Sequence, residues 1–110
     1  MKKLMTKGEL YDLKYTLSDL IYPRLKEFKD KVESKNAPSV PDFPDVEHFT
    51  TDTSFEEKEK YWSEVLSEMI IPFEYHVHPE KFEHLKFQEI NEKVEKGLKL
   101  FAEYFTNLWF

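Results

Sequence analysis

Hydrophobic residues along the chain fall into three helix-spaced runs, separated by two stretches where the periodicity fails. Leu17, Leu20, Ile21, Leu25, Phe28 and Val32 recur at intervals that line one helical face. They predict a first helix over residues 16–34, opened by Thr16 and Asp19 as a capping box with the shorter acid. Pro23 falls inside this run, where it removes a backbone donor and crowds the carbonyl of Asp19, so a kink or a restart is expected. The second run opens on Ser54-Phe55-Glu56-Glu57, a capping box, and places Phe55, Tyr61, Trp62, Val65, Leu66, Met69 and Ile70 on one stripe. Pro72 cannot continue the hydrogen-bond ladder, so this helix is predicted to end near Ile71.

Phe73 to His78 alternates apolar and polar residues and reads as a short extended connector before Pro79. A third helix is then predicted from Pro79, with Leu85, Ile90, Val94, Leu98, Phe101, Phe105 and Leu108 on one face. Its last five apolar residues step by four, three, four and three, the seam spacing of helix against helix. At ~1.5 Å per residue it would approach ~45 Å and outrun its partners. Between residues 35 and 53 the prolines Pro38, Pro41 and Pro44 favour an extended path, which Val40, Phe43, Val46 and Phe49 would pin across the helices. The expected architecture is all-α: one domain over residues 1–110, a three-helix array with a long C-terminal helix and an ordered Pro-rich crossover.

Composition narrows the chemistry. The chain has 16% aromatic residues, enough to build a core from 110 residues, and no cysteine, which excludes disulfides, thiolate metal sites and a cysteine nucleophile. No apolar stretch is long enough for a signal peptide or a spanning helix, so a soluble, cytoplasmic protein without a membrane partner is expected. Residues 1–36 hold nine Lys or Arg against six Asp or Glu, whereas residues 37–110 hold seven against sixteen. The acidic remainder disfavours direct nucleic-acid binding.

Three segments carry a resemblance. Asp12-Leu13-Lys14-Tyr15-Thr16-Leu17 running on to Pro23-Arg24-Leu25-Lys26-Glu27-Phe28, then Trp62 through Leu66-Ser67-Glu68-Met69-Ile70 to Phe73-Glu74, and finally Gly97-Leu98-Lys99-Leu100-Phe101 with Tyr104-Phe105 and Leu108-Trp109 resemble, in this order, a group of small uncharacterised phage accessory proteins. The resemblance covers most of the chain except residues 35–53 and 75–90. It implies a helical fold, a phage origin and action on the host, and no reaction. Where such proteins carry an acidic insert after the second helix, this chain has Tyr75-His76-Val77-His78.

Candidate sites are few. In an extended segment His76 and His78 would point to the same side, near Glu74, Glu80, Glu83 and His84, a donor set that zinc accepts. A solvated connector is the favoured reading, and no cofactor is expected; His48, beside Asp45 and Glu47, adds little. No serine or threonine lies in a nucleophile-elbow or phosphate-loop context, so a non-enzymatic protein is expected. Tyr22, Arg24, Lys31 and Lys35 would form an anion or ligand site on the first helix. Its alternative is solvated charge, or an ion pair between Arg24 and Glu68.

The tail residues Phe101, Tyr104, Phe105, Leu108, Trp109 and Phe110 are either core or an interface. Three functions stay open. The leading one is a phage accessory protein that binds and modulates a host protein, such as a defence component. The second is a homo-oligomeric sponge that sequesters a nucleotide signal, and the third is an acidic inhibitor that mimics DNA. A homodimer, covering the seam of the third helix near Gly97, competes with a crossover that covers the same stripe within one chain.

Overall fold

The computed structural model describes residues 10, 12–34, 40–44, 46–47, 49–50 and 52–109. Among them the chain is helical and has no strand. Helix α1 spans Leu13–Glu33, α2 Phe55–Val77 and α3 Phe87–Tyr104, with 3-10 turns at Pro79–Phe82 and Phe105–Asn107. α2 is the middle helix: α1 and α3 each pack on it and scarcely on one another. The array is accordingly thin, 24 Å along its shortest axis, or about two helix diameters.

α1 begins before the expected capping box. The carbonyl of Asp12 accepts from the N–H groups of Tyr15 and Thr16 at 2.9 and 3.2 Å, so Thr16 lies inside the helix. The helix does not restart at Pro23. Both Pro23 and Asp19 face solvent, and water can serve the carbonyl that the proline leaves without a donor. Leu25 and Val32 turn inward as predicted, and Tyr22, which the predicted face leaves out, is buried beside them, whereas Leu17 and Leu20 stay exposed.

At the start of α2 the Ser54 hydroxyl accepts from the N–H of Glu57 at 3.1 Å, the expected cap. Trp62, Leu66 and Met69 are fully buried, while Phe55 faces water. The helix does not end at Ile71 but passes through Pro72 to Val77, so the expected extended connector is helical instead. The reason lies on α3. Pro72 leaves the carbonyl of Glu68 without its helical donor, and the backbone of Gly97 closes over that position. A Cβ at Gly97 would stand 2.6 Å from the Glu68 oxygen and would overlap the Pro72 ring. Gly97 therefore marks a close approach within one chain rather than to a second copy. Lys96 adds an ion pair at the same crossing, its Nζ 2.9 Å from Glu68 Oε1.

The C-terminal helix is long, but it starts at Phe87 rather than Pro79 and does not outrun its partners. Phe82 is buried with its ring 5.4 Å from Tyr75, which ties the 3-10 turn back onto α2 before the chain reverses. The inward line of α3 is Ile90, Val94, Gly97, Phe101 and Tyr104, and Leu108 packs inward beyond the helix end; the predicted seam residues Leu98 and Phe105 lie outward.

The crossover closes the opposite end. Phe43 is 2% exposed, with its ring 4.7 Å from Tyr61, 5.7 Å from Tyr104 and 6.2 Å from Trp62. Its φ of 52° is a left-handed conformation that a bulky residue holds only under constraint; the surrounding rings supply that constraint. Val40, Val46 and Phe49 pack against the same core, as expected of an ordered crossover.

Candidate functional site

The residues expected to form an anion site do not converge. Tyr22 and Arg24 are two apart on a helix, which puts them on nearly opposite faces. Tyr22 is buried against α2, where its hydroxyl donates to Glu74 Oε2 at 3.0 Å and its ring edge meets His78 at 5.5 Å. Burial, then the Glu74 carboxylate, push the phenol above its ordinary value of 10.0. Lys81 Nζ lies 3.5 Å from the same carboxylate oxygen. A carboxylate thus already occupies the place where a phosphate would have to sit. Arg24 instead donates from Nη1 to the Leu20 carbonyl at 2.8 Å, and Lys31 sits 3.9 Å from Glu27. Glu68 pairs with Lys96, so the expected Arg24–Glu68 ion pair is not formed. Lys35 lies outside the described residues.

The two histidines are separated by the unexpected helix. His76, on the last turn of α2, donates from Nδ1 to the Pro72 carbonyl at 2.7 Å, which places the proton on that nitrogen. His78 follows the helix end and places its Nδ1 3.2 Å from Glu80 Oε1. Among the described residues no three His, Cys, Asp or Glu side chains gather as a metal cage. His48 lies outside the described residues.

The C-terminal aromatic group divides in two. Tyr104 and Leu108 pack on the core, and Phe101 meets Phe73 at 5.1 Å between centroids. Phe105 and Trp109 leave 61% and 54% of their surface in water. A helical pitch explains the split at the helix end: residues 101 and 104 share the side facing α2, and residue 105 is a full step around from 104; Leu108 returns to the core after the 3-10 turn. Phe110 lies outside the described residues.

One apolar concavity is invisible when each helix is read separately. Where α1 and α3 diverge across α2, a cleft of about 270 Å³ opens between Leu17 and Ile21 on one wall and Leu98 and Phe101 on the other. Pro72 and Phe73 form its floor, with Lys14 and His76 at its polar edge. The signal in the sequence is the width of the apolar arc on α1, which runs from Leu13 and Leu20 round to Tyr22 and is broader than one neighbour can cover.

On the acidic side, Glu33 accepts from Lys29 Nζ at 3.0 Å and from the Ser63 hydroxyl at 2.9 Å. These bonds, Lys29's first, draw its carboxyl below the ordinary range. The arrangement clips the end of α1 to α2. No helix is long and apolar enough to cross a membrane among the described residues. No known protein family, curated protein or solved structure matches the chain.

Proposed function

We propose that the chain is a non-enzymatic phage accessory protein that binds a host protein and modulates it, acting as an antagonist of a defence component. The observation that carries this reading is the split of the aromatic tail. Tyr104 and Leu108 anchor the end of α3 in the core, and Phe105 and Trp109 are thereby held in water by a backbone that is already ordered. Large aromatic side chains with little conformational freedom left to lose are the groups that supply most binding energy at protein interfaces. The resemblance of three segments to small phage proteins supplies the biological setting. No observation favours the nucleotide-sponge or DNA-mimic readings over this one.

The test compares the native chain with a Phe105→Lys, Trp109→Ser double variant, both immobilised and exposed to host lysate. Both positions are exposed, so circular dichroism of the variant should match the native chain. The expected result is a host protein held by the native chain and lost from the variant. Equal recovery on both, or none on either, defeats the proposal.

A further inference from the structure

We propose that the pocket between the last turn of α1 and the opening turns of α2 is a binding site for a guanidinium group carried on an aliphatic stem. No residue of the aromatic tail lines it, so the inference stands apart from the reading above. The cavity measures about 310 Å³, with the buried side chains of Val32 and Glu59 at its back and Glu33, Glu56, Lys60 and Ser63 nearer the mouth.

Glu59 is the anomaly. It keeps 8% of its surface in water and is the one charged residue that is buried among those described. Buried carboxylates are ordinarily paired, because an uncompensated charge against apolar walls is costly. No described residue gives Glu59 a hydrogen bond or an ion pair.

The lack of a partner follows from the sequence around it. Helical neighbours three and four positions away are Phe55, Glu56, Trp62 and Ser63, none of them cationic and one a like charge. Lys60, one residue on, projects about 100° further around the helix and stands exposed at the mouth. Across the pocket Glu33 is a second carboxylate, and it takes both donors that come near: Lys29 Nζ at 3.0 Å and the Ser63 hydroxyl at 2.9 Å. α1 also turns the negative end of its dipole toward the site. Every group that could neutralise Glu59 is engaged elsewhere or points away, and what surrounds it favours a cation from outside.

The arrangement selects the kind of cation. The carboxylates do not gather in threes about one point, so a metal ion is not what they are spaced for. Acceptors instead lie on two walls, Glu59 on α2 and the remaining lone pairs of Glu33 on α1. A planar guanidinium, with five donors in a fork, reaches both. It also gives up its water more readily than an ammonium does, which counts at a carboxylate this deeply buried. The stem would leave through the mouth between Glu56 and Lys60.

The experiment is a titration of the isotope-labelled full chain with N-butylguanidinium, n-butylammonium and the uncharged isostere N-butylurea, read from the backbone amide resonances of residues 32–33 and 56–63. Butylguanidinium should shift them saturably, butylammonium should bind more weakly, and butylurea should leave them unmoved. Glu59→Gln should weaken butylguanidinium binding about tenfold. Because it removes an uncompensated buried charge, this variant should melt no lower than the native chain. Agmatine and an acetyl-Ala-Arg-Ala-amide peptide, titrated alongside, separate the two sources of the group: tighter binding of the peptide assigns it to an arginine of a partner protein, tighter binding of agmatine to a free guanidino compound. The proposal is overturned by no saturable shift with butylguanidinium, by an equal response to butylurea or butylammonium, or by undiminished binding to Glu59→Gln. A marked fall in the Tm of that variant overturns it as well, since Glu59 would then serve the fold rather than a ligand.

Discussion

α2 meets its surroundings in two different ways along its length. Over its first half, Trp62, Val65 and Leu66 are wrapped by α1 on one side, α3 on the other and the crossover across the end, where Phe43, Tyr61 and Tyr104 bring their rings edge to face. Over its second half α1 and α3 part, and Pro72 and Phe73 floor an open cleft. The difference is the crossover: it is long enough to close one end of a three-helix array and leaves the other face unfinished. The closed end explains why the chain folds. The open face is where surface remains for recognition.

The comparison breaks most directly at Phe43. Replacing it with alanine removes a ring that joins the crossover to both α2 and α3, and the expected loss is ~3–4 kcal/mol. Urea denaturation followed by circular dichroism measures it, and a loss below ~1 kcal/mol would mean that the crossover is only a cover. Trp62 shows how tightly that end is drawn, since its indole N–H is buried with no acceptor in reach among the described residues. Rings surround it on several sides, Phe28 at 6.3 Å and Tyr104 at 5.5 Å between centroids.

Gly97→Ala comes next in size. The added methyl gains helix propensity worth about 1 kcal/mol, but it meets the Glu68 carbonyl and the Pro72 ring, neither of which can yield. A net loss of about 2 kcal/mol is expected, read as a fall in Tm. A neutral or stabilising result would show that α3 can slide away from α2 without penalty.

The smallest effect concerns Tyr22. Its pKa is raised on folding, so the contribution is complete below the ordinary value of 10.0 and is lost as pH climbs through the higher folded value. Native stability should therefore fall on the alkaline side. Tyr22→Phe should cost about 1 kcal/mol at neutral pH and flatten that alkaline limb. An unchanged limb in the variant would assign the decline to other groups.

The sequence is legible where local rules act alone. The Ser54 cap, the buried stripe Trp62, Val65, Leu66 and Met69, and the all-α class follow from hydrogen-bonding chemistry and periodicity, and the structure has them. It misleads where the deciding group comes from a distant segment. Pro72 argues for a helix end until Gly97 closes over the freed carbonyl. Along α3, leucine looks more like an inward residue than glycine does, yet at the crossing only glycine fits, which turns Leu98 outward. Tyr22 and Arg24 are close in sequence, but the helical pitch alone separates them.

The Pro72–Gly97 crossing also bears on how the molecule becomes cooperative. Residues 73–77 continue α2 past its proline where α3, later in the chain, packs Gly97 against the Glu68 carbonyl and the Pro72 ring. The same stretch sets Glu74 opposite Tyr22 on α1. This crossing thus ties all three helices together, and a substitution that opens it is expected to loosen the turn that carries His76 along with the Tyr22–Glu74 bond.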